Sequence, residues 1–279
     1  MRSNALPAFS LASFLVACGS PARGDDQPFL TLYTTDIDSQ GEREAEQWLG
    51  LKTGETGASY SDFLSRTEFE YGITDNLQGS FYLSYEWSHL RSHTPPFSSQ
   101  TESFPGVSGE LIYRLLDSDF NPVGLALYLE PSWSSEEQAI ESKILIQKNF
   151  LNDALRCAFN INFEDDWDQK NDVPERESAL EFDAGIAYAV RTDLSAGVEF
   201  DNERTFAGLL LGGSAREHAS AFFLGPTIDY ELLPWKITLG AQAQLPWAAS
   251  PPGNAGAVIG GFETQAERFR VAIRVSRDF

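Results

Sequence analysis

At 279 residues, 42% hydrophobic and with a formal net charge of −21, the chain is long enough for one large β domain or two ordinary ones. The excess of Asp and Glu argues against nucleic-acid binding, which needs clustered Lys and Arg to neutralise phosphate. Aromatics at 13% exceed what a disordered acidic chain carries, and no stretch reaches the roughly 18 apolar residues of a transmembrane helix.

The N-terminus has the layout of a secretory signal peptide. Arg2 precedes the apolar run ALPAFSLASFLVA, residues 5–17, and small residues follow it. Two processing sites compete. Ala22-Arg23-Gly24 sets small residues at the −3 and −1 positions for cleavage before Asp25, while Leu15-Val16-Ala17-Cys18 is similar to a lipobox with Cys18 as the acylated first residue. We take 1–24 as the signal, since a barrel rarely needs a lipid anchor. With either cut, Cys157 is the one unmodified thiol left, so no intrachain disulfide is expected.

Residues 25–42 include FLTLYTTD (29–36), which has the composition of a strand. Counting it as one breaks the even strand number derived below, so it is read as a periplasmic or lumen-entering lead segment.

From residue 43 onward one unit repeats: an alternating segment, turn residues, another alternating segment. In 43–53, Leu49 and Leu51 are placed outward and Glu46, Trp48 and Lys52 inward. In 77–87 the odd positions are mostly apolar (Phe81, Leu83, Tyr85, Trp87) and the even ones mostly polar (Gln78, Ser80, Ser84, Glu86). The same division recurs in 123–133, 155–163, 180–188, 235–247 and 269–279, so one face suits lipid and the other water. In 218–230, Pro226 removes a ladder donor, and Gly225 before it predicts a bulge.

A soluble sandwich also alternates. Two features favour a membrane barrel. Connections alternate short (74–76, 117–122, 149–154, 190–193, 231–234) and long (91–104, 165–177, 204–216, 248–266), as periplasmic turns and extracellular loops do. Aromatics also stand at both ends of the apolar faces: Tyr71, Tyr113, Tyr188, Tyr230, Trp235 and Phe279 at one, Trp87, Trp133 and Trp247 at the other. Counting back from Phe279 in the periplasm gives about twelve strands over 43–279. The predicted fold is all-β: a transmembrane, antiparallel, up-and-down barrel of the Gram-negative outer membrane. Its expected partners are outer-membrane lipid, small solutes and the barrel-assembly machinery, which would read the closing strand and its terminal Phe279; no nucleic acid and no cofactor is expected.

The stretches EQWLGLKTG, RTEFEYGITDNLQGSFYLSYEW, ELIYRLL, PVGLALYLEPSW and ESKILIQKNFLND resemble an uncharacterised, transporter-like family of bacterial outer-membrane barrels, mostly over 43–163. The resemblance implies the same fold and compartment and brings no catalytic residues.

The candidate chemistry lies on the inward faces. Glu46, Arg66, Glu68, Glu70, Glu86, Glu110, Arg114, Glu130, Glu181, Asp183, Glu199, Asp201, Arg270 and Arg274 are expected to line the lumen. There they either form a cation-attracting channel or pair across strands and fill a narrow bore. Glu181 and Asp183 are expected beside Glu199 and Asp201, and Arg270 and Arg274 beside Glu46. His218 and Ser220 are placed on one lipid-facing strand face, an arrangement similar to the histidine–serine pair of outer-membrane phospholipases. That family's serine-asparagine-glycine context is missing, and the preferred reading is not an enzyme. His89 and His93 are read as rim residues, DDWDQKND (165–172) and PPGNAG (251–256) as solvated loops. Neither zinc-type Cys/His spacing nor a calcium-loop pattern is present, so no metal is expected.

Overall fold

The protein is described by a computed structural model covering residues 27–55, 58–93, 96–134, 137–168, 175–210, 215–251, 257–264 and 266–279. The signal peptide, both processing sites and most of PPGNAG lie outside the described residues.

The described residues form fourteen strands: β1 (Arg43–Glu55), β2 (Ala58–Thr74), β3 (Leu77–His93), β4 (Pro96–Leu116), β5 (Gly124–Trp133), β6 (Glu137–Phe150), β7 (Leu155–Asp168), β8 (Glu175–Arg191), β9 (Leu194–Ala207), β10 (Arg216–Leu232), β11 (Trp235–Gln244), β12 (Val258–Ile259), β13 (Phe262–Glu263) and β14 (Phe269–Asp278). β12 and β13 form a small separate hairpin. The other twelve close into one antiparallel barrel in up-and-down order, with β14 joining β11 to β1. β14 pairs with β1 from Glu44↔Asp278 to Thr53↔Phe269, and the Phe279 amide donates to Arg43 O at 3.0 Å. Closure leaves no unpaired edge, the condition for placing strands in lipid.

The outer surface is apolar where a soluble protein's would be polar. Leu49, Phe69, Leu83, Leu111, Leu127, Leu129, Ile186, Val198, Ile228 and Leu239 are all exposed. Tyr71, Tyr113, Tyr188, Tyr230 and Trp235 stand exposed toward the short-turn end, and Trp133 and Trp247 toward the other. A closed barrel with an apolar belt between two aromatic girdles is built for the outer membrane, with its short turns in the periplasm.

Three expectations are corrected. Where described, the stretches 91–104 and 165–177 are strand and not loop: β3 runs to His93 and β4 starts at Pro96, β7 runs to Asp168 and β8 starts at Glu175, whereas in 204–216 only the ends belong to β9 and β10. Outside the membrane both strand faces are wet, so alternation fades while backbone pairing continues. No bulge forms at Gly225. Register with β9 runs unbroken through Gly225↔Glu199 and Pro226↔Val198. The bulge lies instead between Glu217 and Ala219. It breaks the same-face relation of His218 and Ser220; Ser220 keeps the outward face of Phe222 and Leu224 but is covered there, at 6% exposure.

The second structural element is the chain before β1. Residues 27–38 make no ladder, yet Phe29, Leu32, Thr34, Thr35 and Ile37 are almost fully buried. They pack against inward-facing wall residues in two clusters. One is Ile37 with Ile112, Ala126, Tyr128 and Leu145, with Tyr33 against it; the other is Phe29 and Leu32 with Ala158 and Ala187. The segment therefore lies inside the barrel. It leaves by the periplasmic rim, where Gly41 N donates to Gly72 O at 2.8 Å. A Cβ on Gly72 would stand 1.9 Å from Ser39 O, so only glycine admits the chain there.

Candidate functional site

With no neighbouring strand to pair with, the backbone groups of 27–38 are met by inward side chains. Glu199, on β9, accepts from the amides of Leu30 (2.6 Å), Thr31 (2.9 Å) and Leu32 (3.3 Å) and from Thr31 Oγ1 (2.7 Å). Gln147 Oε1 accepts from Thr35 N at 2.7 Å, and Gln78 Oε1 from Asp38 N at 2.7 Å. Arg274 donates to Gln27 O at 2.7 Å and stands 3.5 Å from Glu46. Arg156 pairs with Asp36 at 3.6 Å. Tyr33 meets Tyr128 edge-on at 5.0 Å and donates to Glu110 at 3.3 Å. Burial, reinforced by the nearby Glu110 carboxylate, pushes the Tyr33 phenol well above its ordinary pKa, so it stays a donor.

Over this floor opens a cavity of about 740 Å³. Leu30, Thr31 and Tyr33 form its base, and the barrel wall forms its sides. Among the described residues, ten carboxylates and four cationic side chains line it. Of the residues singled out by alternation, Arg66, Glu86, Glu130, Glu181, Asp183, Glu199, Asp201 and Arg270 are among the lining residues. Glu46, Glu68, Glu70, Glu110 and Arg274 are buried elsewhere in the interior. Oxygens of Glu46, Glu68 and Glu70 come within 4.8 Å of one another, and Arg274 sits beside them. Arg114 is at the periplasmic rim, donating to Asp75 O at 2.7 Å and 3.4 Å from Asp117.

Register refines the acid cluster. Asp183 lies directly opposite Asp201 and Glu181 opposite Glu203; Glu199 faces Gly185. Arg270 does not join Glu46. It binds Glu203 and Glu267, because its strand partners are Lys52 and Gln242, neither of them acidic. The candidate set holds neither Glu203 nor Gln147, Gln78 or Asn162, although alternation turns Gln78 and Asn162 inward. The signal for the floor was on the wall: inward Ala126, Ala158, Gly185 and Ala187 are too small to fill a bore by themselves.

His218 Nε2 is 3.3 Å from Thr205 Oγ1, while Asn202 Nδ2 is 3.4 Å from Ser220 Oγ. Each of the two side chains thus meets a β9 partner. His89 Nε2 is 3.3 Å from Ser98 Oγ, and Asp165 accepts from Ser178 at 2.6 Å. Cys157 is a free thiol.

A family model, described as Family of unknown function (DUF6662), matches residues 21–273. The chain belongs to that family. No curated protein matches this DUF6662 member by sequence. Solved structures match it by fold. The COG4313 outer membrane channel from Pseudomonas putida F1 superposes with a TM-score of 0.59 at 12% identity, over 86% of this chain and 96% of that one. The NanC porin gives 0.52 at 12% identity, over 84% and 100%. The translocator domain of the autotransporter NalP from Neisseria meningitidis gives 0.52 at 12% identity, over 88% and 91%. At such identity the likeness is one of fold, which this DUF6662 protein shares with outer-membrane channels.

Proposed function

We propose that the protein is an outer-membrane channel for small polar or cationic solutes, closed at its periplasmic end by residues 27–42. The observation that carries this reading is an acid-rich cavity whose floor is held by side-chain contacts rather than by a β-ladder. A floor built that way leaves the barrel complete when it moves. Twelve strands enclose more than the eight that side chains alone can fill, and less than a sixteen-stranded porin. The excess of carboxylates in the wall favours cations. Asp183 opposite Asp201 and Glu181 opposite Glu203 set like charges side by side, an arrangement that water and counter-ions relieve.

Planar-bilayer conductance under a salt gradient tests it. The full chain is expected to conduct weakly, and a variant lacking 27–42 strongly and cation-selectively. Replacing Glu181, Asp183, Glu199 and Asp201 by their amides is expected to lower that selectivity. Anion selectivity, or no conductance after the segment is removed, refutes the reading. The latter outcome would favour a closed structural barrel, which the seated floor also fits.

A further inference from the structure

We propose that the cavity is a binding site for a solute bearing a primary ammonium group, held by Asp183, Asp201 and Asn162. Asp183 and Asp201 face each other across β8 and β9. Each has one carboxylate oxygen engaged. Asp183 Oδ2 accepts from Asn162 Nδ2 at 2.5 Å, and Asp201 Oδ2 accepts from Gln242 Nε2 at 2.6 Å with Arg270 at 3.8 Å. The other oxygen of each, and Asn162 Oδ1, are buried and receive no hydrogen bond among the described residues. The three residues are only 5%, 4% and 5% exposed, and all line the cavity.

A buried acceptor without a donor costs free energy, and a buried carboxylate oxygen costs more than a carbonyl. The nearby cations sit closest to other acids: Lys143 stands 3.1 Å from Glu141, and Arg270 binds Glu203 and Glu267, with Asp201 Oδ2 farther off at 3.8 Å. An ammonium group brings three N–H donors and one positive charge to three open acceptors. A divalent metal is the poorer match: it prefers six or more oxygens at short range, whereas Asp183, Asp201 and Asn162 offer one undonated oxygen each. The cavity also leaves room beyond the head group, against Tyr33, Trp48 and Leu64, for a short carbon skeleton.

The inference rests on the lumen being a cation-attracting channel, but its test reads binding instead of conductance. Titration calorimetry of the detergent-solubilised full chain with 1-aminobutane is expected to show saturable binding. Asp183→Asn/Asp201→Asn is expected to weaken it at least tenfold. Asn162→Lys, which supplies a tethered ammonium, is expected to abolish it while the barrel still migrates as folded in unheated gels. Tetramethylammonium, lacking N–H donors, is expected not to compete. Absence of saturable binding, binding unchanged in both variants, effective competition by tetramethylammonium, or calcium bound in place of the amine would each overturn the site. A channel that conducts but fails these tests loses the site and keeps its conductance. A non-conducting barrel that passes them keeps the site and loses the channel.

Discussion

Glu199 accepts from three consecutive backbone amides and a hydroxyl, so one wall residue seats the middle of the N-terminal segment. Hydrogen bonds to a charged group contribute about 1.5–3 kcal/mol each. Glu199→Gln loses the charge and turns one acceptor into a donor facing amides. It is expected to free the segment about tenfold or more, read as faster maleimide labelling of Leu32→Cys in a Cys157→Ser background. Unchanged labelling would mean that apolar packing alone holds the seat. Gly185 tests that packing directly, since a Cβ there would stand 2.5 Å from Leu32 Cδ2 and 2.7 Å from Phe29 Cε1. Gly185→Leu is expected to expel both side chains, with the same labelling gain and an unchanged yield of folded barrel; slow labelling would count against the steric account. At this scale the sequence was half legible. Alternation shows that Glu199 and Asp183 face inward. It cannot show that one meets peptide amides and the other an aspartate, because partners across a lumen depend on register.

The strands were the most legible elements, and their membrane halves the most legible part of each. Lipid on one side and water on the other force period-two patterning, and Leu239 between Ile237 and Ala241 is typical. Leu239 is 47% exposed at the middle of β11. Leu239→Arg is expected to cost about 2–4 kcal/mol in denaturant unfolding from liposomes, against about 0–1 for a charge near the interface. A loss under 1 kcal/mol would argue against the assigned membrane depth. The upper ends of β3 and β4 were not legible. SHLRSH and SSQTES run as strand, yet carry no lipid-facing stripe. FLTLYTTD posed the opposite problem. Its apolar residues suit a strand, and what reveals it as a lumen segment is the even count that the other twelve strands already satisfy.

For the whole molecule, closure depends on β14. It pairs with both β1 and β11, and Phe279 bonds back to Arg43. Arg277 lies over the rings of Trp235 and Phe279, which ties the last turn of the wall together. Deleting Phe279 is expected to lower the fraction of chains reaching the heat-modifiable folded form in cells, while refolding in detergent stays near normal. Equal losses in both would assign Phe279 to stability rather than to recognition by the assembly machinery. The seated floor has a consequence of another kind. Under the proposed reading, the lumen is a vessel with one mouth while residues 27–42 stay in place. Its surplus of fixed carboxylates would then make it an ion exchanger facing the medium outside the cell. The screening length falls from about 30 Å at 0.01 M salt to about 8 Å at 0.15 M. On that reading the enrichment of cations in the vessel over the medium is large in dilute surroundings and small in saline ones, as in a small Donnan compartment on the cell surface.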